Sequence, residues 1–181
     1  MTLSESAKEF ILHWGEMGAR WGVNRTVAQV HALLYLSPQP LTAEEISETL
    51  SVARSNVSTS LKELQNWNLV FTESRMGERR DFFHTSADVW TLFLTVVEQR
   101  VQREIVPTLA MLSRCVATAK AEGPSQAVVR TRIAAMRQFL EELHGWYTQI
   151  RKLPPATLRS LITMGSGITR ILPKLRRRRL D

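Results

Sequence analysis

Apolar residues in this 181-residue chain recur mostly at helical spacing. Phe10, Ile11 and Trp14 give one face to a helix expected from about Ser6 to Met17, where Ser6 and Glu9 fit a capping box. Gly15, Gly18 and Gly22 are expected to interrupt it around Arg20 and Trp21. Asn24 then suits the N-cap of a second helix, with Val27, Val30, His31, Leu33, Leu34 and Leu36 on its buried side. Ser37-Pro-Gln-Pro40 ends that helix.

The pattern changes over residues 42 to 84. Thr42 and Glu45 form a second capping-box pair, opening a short helix through Leu50 with Ile46 and Leu50 inward. Ser51 and Val52 supply a turn, and a further helix is expected from about Arg54 to Asn66. At about 100° per residue, Val57, Leu61 and Leu64 fall on one side of that helix. Ser55, Thr59, Lys62 and Asn66 fall on the other, flanked by Asn56, Ser58 and Glu63. Short hydroxyl and amide side chains let a helix approach base edges closely and still hydrogen-bond. Arg54 stands at the helix start, where backbone N–H groups also favour phosphate. An ordinary solvated helix with a Ser-rich face would give the same pattern.

Two strand-like stretches follow. Val70 to Ser74 alternates as a strand, Met76-Gly77-Glu78 is the turn, and Arg80 to His84 returns. Arg75, Arg79 and Arg80 gather at or beside the tip. One of them, Arg80 with Asp81 or with a neighbouring helix, is expected to be held in an ion pair. Arg79 is the candidate for the groove or phosphate. The elements together define a mainly α fold: a winged helix-turn-helix with a two-stranded β-wing, flanked by N- and C-terminal helices.

Beyond Thr85, which can cap with Asp88, Val89, Phe93, Val97, Val101, Ile105 and Leu109 step by four along a long helix. Pro107 should kink or restart it. Glu122-Gly123-Pro124 is a clear break. Val129, Ile133, Met136, Leu140, Leu143, Tyr147 and Ile150 then repeat at 4-3-4-3-4-3, an a/d seam across three heptads. Such a seam needs a partner helix, either the one around Val89 to Leu112 or the same helix of a second chain. Pro154-Pro155 stops it. Four regions result: 1–22, an N-terminal helix for dimer or effector contacts; 23–85, the winged helix; 86–153, helical dimerisation; and 154–181, a basic tail.

Charge adds less than its total implies. The chain has 24 basic and 17 acidic residues, a net charge of +7. From Arg170 onward it holds six basic residues and one acid, so the remainder carries 18 against 16, or +2. Basicity therefore belongs mostly to the tail KLRRRRLD. That tail could contact phosphates, lie on an acidic membrane surface with Leu158, Leu161, Ile162, Ile168 and Leu172, or aid solubility. The polar, acidic start MTLSESAKEF lacks the pattern of a secretory signal, and no run approaches a membrane span. The expected location is cytoplasmic.

Residues 46–70, ISETLSVARSNVSTSLKELQNWNLV, resemble the helix-turn-helix of MarR-type transcriptional regulators. ARSNVS-x-SL-x-EL-x-x-W-x-LV, then GERRDFF and DVW, with GARWGVNRTVAQVHALLYL upstream, resemble the GbsR branch. The resemblance covers roughly residues 10 to 112 and extends beyond only in helical character. It implies a homodimer, with the flanking N- and C-terminal helices as dimerisation helices, on a palindromic duplex operator, acting as a repressor that responds to a small molecule, choline-like in the best-known members. Candidate DNA contacts are Arg54, Ser55, Asn56, Ser58, Thr59, Lys62, Arg75, Arg79 and Arg80. Ala53 departs from the Ser or Thr cap common in related sequences, and Ser51 or Ser55 is the expected substitute.

Five tryptophans are many for this length. Trp21, Trp90, Trp146 and Tyr147 are candidates for an aromatic effector site that binds a quaternary ammonium by cation–π attraction. Aromatic rings filling core and dimer contacts would give the same composition. Trp67 is expected under the wing. His13, His31, His84 and His144 have no metal-ligand spacing. No nucleophile elbow or phosphate loop is present, so no enzyme activity, metal or cofactor is expected. Cys115, the single cysteine, is expected to be a buried small apolar residue. The competing functional class is a winged helix used for protein interaction, with the tail on membrane or RNA.

Overall fold

A computed structural model describes residues 3–154 and 156–164. The chain forms two compact units, Met1–Gln99 and Arg100–Asp181. Helix α1 spans Glu5–Arg20 and is capped by Ser4, which accepts from the Ala7 N–H at 3.2 Å. Ser6 lies inside the helix and meets the Ser4 hydroxyl instead of capping. Gly15 and Gly18 do not interrupt α1; they let helix α2 (Arg25–Leu36) approach it closely. A Cβ on Gly18 would stand 2.6 Å from the Ala28 Cβ, and one on Gly15 would stand 2.7 Å from the Gln29 side chain. The chain turns only at Trp21-Gly22, where Gly22 takes φ +79°.

Asn24 caps α2, accepting from the Thr26 N–H at 2.8 Å. Val27, Ala28, Val30, His31, Ala32, Leu33 and Leu34 are all buried, so α2 is the central helix of the first unit. Thr42 and Glu45 form the expected capping box on helix α3 (Ala43–Leu50). Ser51, in the left-handed region at φ 53°, closes α3. Helix α4 spans Arg54–Asn66 and buries Val57, Ser60, Leu61 and Leu64.

Strands β2 (Phe71–Ser74) and β3 (Asp81–His84) form the hairpin, pairing Phe71 with His84 through Ser74 with Asp81. A two-residue strand β1 (Leu41–Thr42) adds a third member, giving the antiparallel order β1-β3-β2. Pro38 and Pro40 favour extended backbone just before it. Helix α5 spans Val89–Arg100. Asp88 caps it, accepting from the Trp90 and Thr91 N–H groups. Thr85 does not cap: its hydroxyl donates to the Leu69 carbonyl at 2.6 Å. Leu92 and Val96 pack against the core, while Val89 and Phe93 are exposed, so the inward face is not the one the four-residue steps mark.

In the second unit a π-helical turn, Val101–Ile105, precedes helix α6 (Val106–Ala121). Pro107 has no N–H to donate, and the wider turn accommodates it without ending the helical run. Gly123, at φ +92°, and a 3₁₀ turn at Pro124–Gln126 lead into helix α7, Ala127–Ile150, which packs on α6. Cys115 is half-buried, not buried, with its thiol 3.5 Å from the Met111 sulfur.

The seam on α7 splits. Ile133, Leu140, Tyr147 and Ile150 are half-buried, whereas Val129, Met136 and Leu143 are exposed. Phe139 and Trp146 join the exposed line, and α7 has no buried residue. Residues 156–164 are helical, with Leu158 buried. The Arg-rich end of the tail, with Ile168 and Leu172, lies outside the described residues.

Candidate nucleic-acid interface

Helix α4 is held by its apolar side. Val57, Leu61 and Leu64 sit in one core with Val30, Leu33 and Ile46, which fixes the direction of the opposite face. On that face Arg54, Ser55, Asn56, Ser58, Thr59, Lys62 and Asn66 are exposed. The Thr59 hydroxyl donates to the Ser55 carbonyl at 3.0 Å, leaving its lone pairs to accept from a base or a water. Among the described residues, Arg54 and Lys62 have no ion-pair partner. No side chain caps α4: Ala53 is the N-cap, Ser51 is spent closing α3, and Ser55 lies inside the first turn. The Asn56 N–H bonds the Ala53 carbonyl at 2.9 Å, which leaves the Arg54 and Ser55 N–H groups as the ones from which a phosphate can accept.

The wing sorts its three arginines. Gly77, at φ +82°, makes the tip, and the Glu78 N–H bonds the Arg75 carbonyl at 3.1 Å. Arg75 donates to Glu73 at 3.0 Å and lies over the Phe82 ring, 4.0 Å from its centroid. Arg80 donates twice to Glu78, at 3.1 and 3.2 Å, and not to Asp81. The acid two residues earlier on the same arm of the hairpin, Glu78, takes Arg80 in place of its immediate neighbour Asp81. Two arginines are thus paired where one was expected, and Arg79 stays exposed with no ion-pair partner among the described residues. The Thr42 backbone and hydroxyl hydrogen bonds hold the Glu45 carboxyl below its ordinary range, and the Arg80 charge adds to this.

Two polar contacts tie the wing to the helices, and hydrophobic patterning signalled neither. The Gln65 amide on α4 donates to the Thr72 hydroxyl on β2 at 2.7 Å. At the base of the hairpin, His31 Nε2 lies 3.3 Å from Thr85 Oγ1. Because that hydroxyl gives its proton to Leu69, its oxygen accepts from Nε2. Leu69 precedes β2 and Thr85 follows β3, so His31 joins both ends of the wing to α2. Burial lowers the His31 pKa from 6.5 to about 4.

The aromatic candidates divide between the units. In the first, Trp21 is 66% exposed in the turn after α1, and Trp90 meets the Phe93 ring edge-on at 6.1 Å. In the second, Trp146 is 64% exposed beside half-buried Tyr147. Trp67 packs against the head core. Among the described residues, no group of His, Cys, Asp and Glu could hold a metal ion, and no helix is long and apolar enough to cross a membrane.

A buried three-helix core that presents α4 beside a β-wing defines a winged helix-turn-helix, and residues 21–80 match the MarR family model. The sequence is similar to three Bacillus subtilis (strain 168) proteins. It is 26% identical over 97 residues to YvaV, whose role as an HTH-type transcriptional regulator is itself inferred. That alignment covers 53% of this chain and 55% of YvaV. It is 26% identical to the HTH-type transcriptional repressor GbsR, covering 47% of each chain. With the repressor OpcR it shares 24% identity, covering 42% of this chain and 41% of OpcR. The chain thus spans about half the length of the curated relatives it matches. The crystal structure of a transcriptional regulator shares the fold at TM-score 0.57 and 17% identity, covering 80% of this chain and 99% of that one.

Proposed function

We propose that this protein is a homodimeric DNA-binding transcriptional regulator, a repressor, that reads a palindromic operator with α4 and the wing. The observation that carries this reading is the outer face of α4. It is exposed, poor in internal ion pairs, and built from Ser55, Asn56, Ser58, Thr59 and Lys62. Arg54 and Arg79 flank it as further cations available to phosphate. Arg75 and Arg80 act in this scheme by shaping the wing. GbsR and OpcR, both named as repressors, support the sign of regulation.

The dimer is supported by α7. Met136, Phe139, Leu143 and Trp146 repeat at 3-4-3 and form an exposed apolar stripe, the kind of surface that a monomer seldom leaves in water. Two copies joined about a two-fold axis present two α4 helices to half-sites one DNA turn apart. An effector enters by population shift, favouring one spacing of the two heads over another. Trp21, Trp90, Trp146 and Tyr147 remain its candidate contacts, and a cytoplasmic location fits this role. Selection of bound fragments from a random duplex pool is the test. A palindrome with one-turn half-site spacing supports the proposal, and failure to bind any duplex at low salt refutes it. Tryptophan fluorescence titrated with choline and betaine tests the effector separately.

A further inference from the structure

We infer that Gln65 and Thr72 are positioning residues that set the wing against the reading helix and so couple the groove contacts of α4 to those of Arg79. The inference rests on the DNA-binding reading and goes beyond it, because neither side chain belongs to the proposed contact set.

Strand β2 is poorly anchored by packing. All four of its residues, Phe71 to Ser74, are exposed, so burial does not fix the angle at which the strand leaves the head. Strand β3 differs: Phe82 is buried and Phe83 packs on the core. The connection from α4 is tight only at its base. The Asn68 N–H bonds Gln65 O, the Leu69 N–H bonds Leu64 O, and Asn68 takes φ +55°. Beyond Val70, β2 holds to β3 through the ladder and to α4 through the 2.7 Å Gln65–Thr72 bond.

The positions of the two residues matter. Gln65 lies three residues after Lys62, so it shares the flank of the outer face. Thr72 opposes Phe83 in register, two pairs before Ser74 and the tip. A tilt of β2 at Thr72 is magnified at Arg79. Arg75, stacked on Phe82 and paired with Glu73, keeps the hairpin itself stiff, so the wing swings as a unit. Gln65 is the polar strut that opposes the swing. A glutamine is the suited residue: its N–H₂ donates to a threonine hydroxyl without adding a charge beside DNA.

The test is a double-mutant cycle on a duplex selected with the wild-type protein. Gln65→Ala and Thr72→Ala should each weaken binding about five-fold, in keeping with one lost hydrogen bond. The pair together should lose no more than either alone, because both remove the same bond. Thr72→Ser, which keeps the hydroxyl, should bind as wild type. In the Gln65→Ala background the loss caused by Arg79→Ala should shrink to less than half, since the wing is already misplaced. Both residues lie at the surface, and equal thermal unfolding of the variants would confirm that they fold. Losses that multiply, or an Arg79→Ala effect unchanged by Gln65→Ala, overturn the inference and leave DNA binding intact. A wild-type protein that binds no duplex overturns both.

Discussion

His31→Gln should flatten the acid sensitivity of the head. In the folded chain the imidazole is buried and its pKa is lowered to about 4; in the unfolded chain it returns to 6.5. Between those values the unfolded state takes up a proton that the folded state resists. Stability is thus lost as pH falls below about 6.5, and the loss is complete near pH 4. The whole shift corresponds to roughly 3 kcal/mol. From pH 7 to pH 5 alone the loss is about 2 kcal/mol, because most of the unfolded imidazole has charged by then. Glutamine can still hydrogen-bond Thr85 but does not titrate. Urea midpoints measured at pH 7, 6 and 5 for both proteins give the comparison. The variant starts less stable at pH 7, and the gap should close by about 2 kcal/mol at pH 5. Parallel losses would refute the reasoning, as would an imidazole that titrates above pH 6 in the folded protein by NMR.

Gly18→Ala should destabilise the protein although alanine favours helix. The new Cβ would sit 2.6 Å from the Ala28 Cβ, and overpacking of about 1–3 kcal/mol outweighs a propensity gain of about 1 kcal/mol. Adding Ala28→Gly should recover part of the lost melting temperature. Arg79→Ala should weaken duplex binding and lower the slope of log affinity against log salt by about one per contacting arginine, as read from titrations between 50 and 200 mM salt. Met136→Lys with Leu143→Lys should yield a folded monomer by light scattering, because both residues are exposed in the protomer and their burial is proposed only in the dimer.

Much of the head was legible in the sequence, since amphipathic spacing and capping residues report local structure directly. Asn24, the Thr42–Glu45 box and the Val57, Leu61, Leu64 face all stand where their chemistry places them. Gly15 and Gly18 misled for a physical reason. A glycine that breaks a helix and one that admits a neighbouring helix look alike in one dimension, and only the distance to Ala28 separates them. Leu92 and Val96 were missed because α5 is apolar on several sides, so periodicity cannot say which side meets the core. The exposed polar face of α4 was readable as a pattern of residue types. The division of labour among Arg75, Arg79 and Arg80 was not. It depends on the hairpin register, which brings Phe82 and Glu73 opposite one another and sets Arg75 over the ring. The Gln65–Thr72 tie was invisible for the same reason: two polar surface residues seven apart carry no periodic signal.

The bare start of α4 has a consequence for how folding and recognition share the work. A Ser or Thr at position 53 would complete the helix from within, worth about 1 kcal/mol to the free protein. With Ala53 that stabilisation is deferred. The acceptors that the Arg54 and Ser55 N–H groups lack are of the kind that a phosphate supplies. In the proposed complex the nucleic acid would serve as a removable piece of the protein's own secondary structure, with some of the energy of folding released only on binding.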